Sequence, residues 1–377
     1  MSPIDDEFER TTFVPFAGAP VTPASDAIGH YLVCIEGAEP GRRIEIEAEP
    51  LTLGRDVKQA RIVFPDTQVS RLHARIVLTG GGVVVENLSA TNGTSIDGTR
   101  ITAPTPLLEG CLLRLGSQTL RYERRGRQVV ERARELDRDL LKARNYVLSL
   151  LPAPLTTGVV RAEWTFVPST QLGGDAFGYD WLDPDTFVFY LLDVSGHGVG
   201  SAMHSVTVLN VLRQRALPGV DFTDPAQVLT SLNDRFQMGV HDGMLFTMWY
   251  GVYRATDRTL RFATAGHHPA YLVAPDKAAY APLGSPALMA GVVPGLTYVS
   301  EESTVPAGRA LYLFSDGIFE IVARDDERWA LSDFLPILLQ PAMPGTGEAA
   351  RVYQAVRDAA MPGPLDDDVS LLVVTFP

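Results

Sequence analysis

The sequence has few cysteines, no excess of basic residues and no long apolar run. Only Cys34 and Cys111 occur among its 377 residues, and both lie in apolar, strand-like segments, which excludes a disulfide scaffold and thiolate catalysis. The 45 acidic residues outnumber the 32 basic ones and give a net charge of −13, which argues against a nucleic-acid partner. We recognise no signal peptide and no stretch of about 18 apolar residues. We therefore expect a cytoplasmic protein that does not bind membranes.

The length of the chain predicts two domains, each large enough to have its own core. Short alternating strands punctuated by Gly, Asn and Asp fill the first third and predict an all-β sandwich; examples are 43–48, 74–78, 82–86 and Leu112–Leu115. We expect a flexible tail at 1–28, the all-β domain at 29–124, a helical linker at 125–151 and a second domain at 152–377.

Four aspartates in the second domain lie far apart in sequence but close to strands. They are Asp175, Asp193, Asp316 and Asp367, and the strands predicted near them are 159–166, 186–192, Ala310–Phe314 and 369–376. Carboxylates held at strand ends are the ligands that a hard divalent cation prefers. Two such cations about 3.5–4 Å apart activate a shared water for attack on phosphorus, so no Ser or Cys nucleophile is required. The pattern predicts a two-metal hydrolase.

Five motifs in this region carry a family resemblance. They are Gly173-Gly-Asp, Asp193-Val-Ser-Gly-His-Gly, Thr264-Ala-Gly-His-His-Pro, Leu313-Phe-Ser-Asp-Gly and Asp367-Asp-Val-Ser. In this order they resemble the metal-dependent PPM (type 2C) protein serine/threonine phosphatases, specifically their SpoIIE-like branch. The resemblance covers about 151–377. It implies an α+β fold with α/β/β/α layers and catalysis with two Mn²⁺ or Mg²⁺ ions.

The resemblance also implies a role for each acidic residue. Asp193 bridges both metals, the Val194 carbonyl helps to bind one of them, and Asp175 completes the protein ligands of that ion. Asp316 and Asp367 hold the other ion. Taken singly, each motif has an alternative interpretation, because an Asp-Gly pair after a strand is usually a turn.

Three further polar residues leave alternatives open. His197 and His267 are candidates for acid–base roles, but both lie among glycines, where a hydrogen-bonded structural imidazole is common. Asp180 belongs to a segment that departs from the usual pattern of this branch, which weakens its assignment as a supporting carboxylate.

The loops of the first domain predict a phosphate site. Gly54-Arg55, Ser70-Arg71-Leu-His73 and the segment from Asn87 to Thr94 together resemble the forkhead-associated (FHA) domain, which reads phosphothreonine peptides. A phosphate dianion needs a guanidinium and a hydroxyl donor, and an amide can hold the peptide backbone. The alternative is that the arginines are ordinary solvated cations.

The FHA resemblance assigns roles residue by residue. Arg55 and Ser70 contact the phosphate, Arg71 and Thr91 support these contacts, and Asn92 holds the ligand backbone. His73 maintains the loop architecture.

A helix is predicted between the two domains. Apolar residues spaced 4, 3, 4, 3, 4, 3 form what we call the heptad stripe, which comprises Val129, Ala133, Leu136, Leu140, Ala143, Val147 and Leu150. Pro152 ends the helix. The stripe predicts a homodimer, and the alternative is a single helix that docks on the second domain.

These features predict a phosphoprotein phosphatase that an FHA domain targets or regulates. By resemblance, its substrate is a phosphorylated anti-sigma-factor antagonist and its output is partner switching in bacterial transcription. The alternatives are a non-catalytic, phosphothreonine-dependent scaffold and a nucleotide-cleaving metalloenzyme, for which we find no base-recognition signal. Thr11 and Thr12 follow an acidic run, so we also expect the phosphorylated tail to be a ligand of the FHA domain. The alternative is that they are ordinary tail residues.

Overall fold

The computed structural model describes residues 28–88, 90–241 and 243–377. The chain forms two compact units, of which the first ends at Asp137 and the second begins at Arg138. Thr11 and Thr12, on which the tail hypothesis depends, lie outside the described residues. Within the described ranges no helix is long and apolar enough to cross a membrane.

The first unit is a β-sandwich, as the sequence predicts. Its strands are β1 (Ile28–Glu36), β2 (Arg43–Ile46), β3 (Leu51–Gly54), β4 (Ile62–Val63), β5 (Ala74–Thr79), β6 (Gly82–Asn87), β7 (Thr94–Ile96), β8 (Thr99–Arg100), β9 (Thr105–Pro106), β10 (Leu112–Leu115) and β11 (Gln118–Gly126). One sheet has the order β2-β1-β11-β10-β7-β8 and the other β4-β3-β5-β6-β9. Alternate apolar residues of both sheets, such as Leu32, Leu53, Ile76 and Leu113, form the core between them.

A helix, α1 (Arg127–Leu150), follows the sandwich and contains the heptad stripe. Val129 and Leu136 at the start of the stripe are 59% and 60% exposed, whereas Leu140 and Leu150 are half-buried. Leu150 packs against a core of the second unit, and so does Leu148, which lies outside the stripe. The stripe is therefore partly covered at its C-terminal end and open near its start.

The second unit has four layers. Its elements are β12 (Arg161–Val167), β13 (Asp175–Trp181), β14 (Thr186–Val194), α2 (Val199–Arg213), α3 (Pro225–Arg235), β15 (Phe246–Arg254), β16 (Thr259–Ala265), β17 (Ala270–Val273), β18 (Tyr280–Leu283), β19 (Glu301–Thr304), β20 (Ala310–Phe314), α4 (Leu331–Leu338), α5 (Glu348–Ala359) and β21 (Val369–Thr375). The sheets have the orders β13-β14-β15-β16-β19 and β12-β21-β20-β17-β18.

Strand β14 shows why the layers form. Its odd-numbered side chains from Phe187 to Leu191 pack between the two sheets, and its even-numbered side chains from Val188 to Val194 pack with residues of α2 and α3. Helices α4 and α5 cover the outer face of the other sheet. Both faces of the central strands are buried, which explains their continuous apolar sequence. The predicted α/β/β/α arrangement is confirmed.

Helix α2 is shorter than its apolar sequence predicts. The Ser195-Gly-His-Gly motif and the apolar residues after it predict a helix over 199–217, but the helix ends at Arg213. Arg215 has φ of 52°, a left-handed conformation that stops an α-helix.

Candidate functional site

The first pair of carboxylates lies across two neighbouring strands. Strands β13 and β14 pair antiparallel, with Asp175 directly opposite Asp193. The adjoining backbones approach closely, because the N–H of Val194 donates to the Gly174 carbonyl at 3.4 Å. A Cβ at Gly174 would come within 2.8 Å of the Val194 carbonyl oxygen. Glycine is therefore required beside Asp175 to bring the two strand ends together.

The second pair comes from the other sheet. Strands β20 and β21 are antiparallel neighbours, so Asp316, after β20, and Asp367, before β21, lie at the same edge. Ser315 joins the two loops, since its N–H donates to the Ser370 carbonyl at 3.0 Å and its hydroxyl accepts from the Ser370 N–H at 2.9 Å. A Cβ at Gly317 would collide with the Asp368 carbonyl oxygen, which explains the glycine after Asp316.

Asp368 connects the two sheets, a role that the sequence did not indicate. Its Oδ1 accepts from the N–H and hydroxyl of Ser169 at 2.7 and 3.0 Å, and its Oδ2 accepts from the Gly174 N–H at 2.6 Å. A Cβ at Gly173 would lie 2.6 Å from this Oδ2. Asp368 thus ties the loop that presents Asp367 to the loop that presents Asp175. The only sequence signal was the run of three aspartates.

The carboxylates raise one another's pKa. Burial, followed by the charges of Asp316, Asp367 and Asp368, raises the pKa of Asp193 to about 7. Burial and the charge of Asp367 raise the pKa of Asp316 to about 6. Burial, reinforced by the charge of Asp193, raises the pKa of Asp175 well above its ordinary value. Strand pairing and the hydrogen bonds of Asp368 bring the four predicted aspartates together, and we call this set the acidic cluster.

The donor atoms of the acidic cluster are of the kind that hard divalent cations prefer. Its donors are all oxygen atoms, and Oδ2 of Asp175 is buried without a hydrogen-bond partner. None of the ion pairs formed between described residues involves Asp175, Asp193, Asp316 or Asp367. In the described part of the chain, however, no three acidic, imidazole or thiol side chains already form a closed metal-binding group. The cluster is thus a set of oxygen donors without an ion-pair partner among the described residues.

The two candidate histidines have different surroundings. His197 is exposed; burial raises the pKa of Asp367, and the nearby His197 opposes this rise. His267 is 6% exposed, and its Nδ1 lies 2.8 Å from the His268 carbonyl oxygen. Burial lowers the pKa of His267 well below its ordinary value. The surroundings of His267 are those of a neutral structural imidazole, whereas the side chain of His197 is exposed to solvent.

Asp180 lies away from the acidic cluster. It is five residues along β13 from Asp175, and its Oδ2 accepts from the Arg215 guanidinium at 3.1 Å. Its side chain is 67% exposed. The structure therefore gives Asp180 no contact that would make it a supporting carboxylate.

Two adjacent loops in the first unit bring the predicted phosphopeptide residues together. The N–H of Arg55 donates to the Ser70 carbonyl at 3.0 Å, and the N–H of Asp56 donates to the Arg71 carbonyl at 3.2 Å. A Cβ at Gly54 would collide with the Arg71 carbonyl oxygen, so the close approach of these loops requires glycine. Both arginines are exposed, and neither forms an ion pair with another described residue.

Further hydrogen bonds join this pair of loops to the loop before β7. His73 is fully buried; its Nδ1 accepts from the Ser70 N–H at 3.1 Å, and its Nε2 lies 3.0 Å from the Gly93 carbonyl oxygen. The hydroxyl of Ser70 accepts from the Thr91 N–H at 3.2 Å, and the Asn92 amide donates to the Gln68 carbonyl at 2.8 Å. Burial lowers the pKa of His73, in keeping with a neutral ring that connects two loops.

Comparison with known families identifies both units. The four-layered unit with its acidic edge matches the family model for Stage II sporulation protein E (SpoIIE) over residues 183–377, and the sandwich matches the FHA domain model over residues 51–116. Because the first match covers more than half of the chain, the chain belongs to the SpoIIE family. It carries an FHA domain in front of the PP2C-type domain. Asp175 lies just before the residues that the SpoIIE model matches.

Individual relatives support each half separately. The phosphoserine phosphatase RsbU of Bacillus subtilis is 26% identical over 154 residues, which is 41% of this chain and 45% of RsbU. The FHA domain-containing protein FhaB of Mycobacterium tuberculosis is 34% identical over 90 residues, which is 24% of this chain and 57% of FhaB. The chain therefore spans about half the length of the curated relatives that it matches.

A solved structure supports the fold of the second unit. The SiaA-PP2C domain of Pseudomonas aeruginosa superimposes with a TM-score of 0.57 and 20% sequence identity. The match covers 65% of this chain and 98% of that domain. At this identity the likeness is evidence of the fold alone.

Proposed function

We propose that this protein is a metal-dependent phosphatase that hydrolyses phosphoserine or phosphothreonine in a protein substrate. The observation that carries the proposal is the acidic cluster, in which four aspartates from two sheets lie together and form no ion pair among the described residues. Such a cluster is costly to assemble unless a cation binds to it. The name of its relative RsbU, a phosphoserine phosphatase, agrees with this chemistry.

The acidic cluster would hold two Mn²⁺ or Mg²⁺ ions. Asp193 would bind both ions, Asp175 and the Val194 carbonyl would complete one site, and Asp316 and Asp367 would form the other. When bound, the metals would supply an activated water and neutralise charge on the phosphoryl group. Asp368 and Ser315 position the ligands, since they tie together the loops that present them.

The FHA domain would bind a phosphothreonine peptide. The exposed Arg55 guanidinium has no carboxylate partner among the described residues and would make charge-assisted hydrogen bonds to the phosphate, together with the Ser70 hydroxyl. Arg71 and Thr91 would support these contacts, and Asn92 would hold the peptide backbone. The ligand would be another phosphoprotein or the chain's own tail, phosphorylated at Thr11 or Thr12.

We place this activity in bacterial signalling in the cytosol. The substrate class that fits the family resemblance is a phosphorylated anti-sigma-factor antagonist, whose dephosphorylation would drive partner switching. The competing proposal is a scaffold that binds phosphothreonine without catalysis. It is favoured by the lack of a closed metal-binding group in the described residues.

Hydrolysis of p-nitrophenyl phosphate separates these two proposals. We expect turnover that depends on added Mn²⁺ or Mg²⁺ and that EDTA abolishes, because the acidic cluster needs a cation to act on phosphate. The same preparation should bind a phosphothreonine peptide in a calorimetric titration. Peptide binding without any metal-dependent turnover would instead establish the scaffold.

We further propose that the heptad stripe over 129–150 forms a homodimer. Leu136 is 60% exposed, and burial of such leucines between two helices stabilises a coiled coil. Light scattering at roughly tens of micromolar should give the mass of a dimer for the wild type and of a monomer for Leu136→Asp.

Arg138→Ala is the matched control for this substitution, because Arg138 is an exposed residue of α1 outside the stripe. It should leave the mass unchanged. A wild-type monomer, unchanged by Leu136→Asp, would favour the alternative in which α1 only docks on its own chain.

A further inference from the structure

Six large apolar side chains, each at least 40% exposed, lie on three segments near the acidic cluster, and we call this set the apolar rim. They are 40% to 80% exposed and comprise Val199, Met203, Met238, Val240, Leu288 and Val293. Monomeric proteins seldom expose such residues in groups, and when they do the group is usually an interaction site.

The first segment of the rim leads directly from Asp193. Residues 195–198 connect β14 to α2, and Val199 and Met203 lie one turn apart on the same exposed face of that helix. The next segment is hydrogen-bonded to the loop that precedes them. The Ser195 N–H donates to the Leu245 carbonyl at 2.8 Å, and the Ser195 hydroxyl accepts from the Leu245 N–H at 3.1 Å.

The third segment is joined to the second in the same way. The Met238 N–H donates to the Gly291 carbonyl at 3.0 Å, and the Ala290 N–H donates to the Phe246 carbonyl at 2.9 Å. Gly291 has φ of 91°, and a Cβ there would come within 2.5 Å of the Phe236 carbonyl oxygen. The three segments therefore form one hydrogen-bonded surface that starts at Asp193.

A cluster of aromatic and imidazole rings packs between the first two segments of the rim. The rings of His204 and His241 are 5.2 Å apart, and both pack against Phe236, at 5.3 and 5.5 Å. His204 lies on α2 and is buried, whereas His241 belongs to the second segment. A surface fixed in this way loses little conformational entropy when a partner binds.

The composition of the rim indicates the chemistry of its partner. Apart from Asp242, residues 195–203, 236–245 and 286–293 contain no Asp, Glu, Lys or Arg. With one carboxylate among these residues, the surface offers little charge to complement a charged peptide, but it offers a large area to apolar side chains. Methionine adapts to irregular apolar partners, and both Met203 and Met238 belong to the rim.

We propose that the apolar rim is the docking surface for the phosphoprotein substrate, and that it selects substrates whose phosphorylated residue is flanked by large apolar side chains. This inference rests on the proposed phosphatase function. The four aspartates can act on phosphate but do not distinguish one phosphoprotein from another, so selectivity must come from neighbouring contacts. Contacts remote from the reacting atoms can lower the barrier of the chemical step when they hold the phosphoryl group in position.

Two synthetic phosphoserine peptides test the rim. They have the same length and charge, and the phosphoserine is flanked by leucine and isoleucine in one and by alanine in the other. The readout is the ratio of their kcat/KM values, which cancels any general loss of activity in a variant. We expect the wild type to prefer the leucine peptide at least about tenfold, because two or more large side chains would be buried.

Met203→Glu and Val240→Glu should bring the ratio close to one. Met343→Glu is the matched control, since Met343 is 55% exposed between α4 and α5, on the other helical layer, and its substitution should leave the ratio unchanged.

Equal rates for both peptides in an active wild-type enzyme would overturn the rim proposal. So would a lowered oligomeric mass in Met203→Glu with an unchanged ratio, because the rim would then be a contact between two copies. A wild type inactive on both peptides and on p-nitrophenyl phosphate would refute the phosphatase function itself.

Discussion

Substituting Asp193 by asparagine should lower metal-dependent hydrolysis of p-nitrophenyl phosphate by roughly 10³-fold or more. Asp193 lies opposite Asp175 on β14 and interacts electrostatically with Asp316 and Asp367. Because it interacts with Asp175 as well as with the second pair, its loss should weaken both proposed metal sites at once. Steady-state rates measured across a manganese titration test this expectation.

The same substitution should not destabilise the metal-free protein. The pKa of Asp193 is raised to about 7 in the folded state, so its ionised form is disfavoured there. At a pH below the pKa that Asp193 has in the unfolded chain, the carboxyl is protonated in both the folded and the unfolded protein. The contribution of this protonated carboxyl to the free energy of unfolding is lost as the pH rises through about 7. Asparagine does not titrate. Thermal unfolding at pH 8 in EDTA should therefore give the variant a Tm equal to or above that of the wild type.

Asp180→Asn is the matched control, since it makes the same chemical change on a neighbouring strand. Asp180 is exposed and paired with Arg215, away from the acidic cluster. This variant should keep both its turnover and the rise in Tm that manganese produces, whereas Asp193→Asn should lose both. Wild-type turnover in Asp193→Asn would show that Asp193 does not bind the catalytic metals.

Local signals were sufficient to predict strand ends beside Asp193, Asp316 and Asp367, but not beside Asp175. The strand predicted near Asp175, 159–166, is β12 of the other sheet, and Asp175 instead begins β13. Each aspartate stands beside a glycine or a strand end, and strands such as β14 are apolar along their whole length because both faces are buried. Antiparallel pairing then brings Asp175 opposite Asp193. The pairing of β13 with β14, which places these two residues opposite each other, is therefore a finding of the structure and not of the local pattern.

Other features depend on contacts between residues far apart in sequence, which no local sequence pattern indicates. Asp368 accepts hydrogen bonds from Ser169, which is 199 residues away in sequence, and nothing near either residue indicates the pairing. The apolar rim is assembled from three separate segments, each of which reads as an ordinary loop or helix start. The early end of α2 depends on the backbone of Arg215 rather than on apolar periodicity.

Substituting Arg55 by alanine should weaken the binding of a phosphothreonine peptide at least about 100-fold, because two charge-assisted hydrogen bonds to the phosphate would be lost. The fold of the FHA domain should survive. Arg55 is exposed, and the contacts that hold its loop come from the backbone, namely its own N–H to Ser70 and that of Asp56 to Arg71. Calorimetric titration with the peptide and with its unphosphorylated form measures the loss directly.

The variant should hydrolyse p-nitrophenyl phosphate at the wild-type rate, since the acidic cluster belongs to a separate compact unit and a small ester needs no docking. Arg114→Ala supplies the matched control. Arg114 is an exposed arginine of β10, outside the loops that contain Arg55 and Ser70, and its loss should leave peptide affinity intact.

If Arg55→Ala bound the phosphopeptide as tightly as the wild type, the phosphate would lie elsewhere on the domain. If it lost binding but also lost turnover of the small ester, the two units would be coupled in catalysis, and the FHA domain would act on the chemical step as well as on the choice of partner.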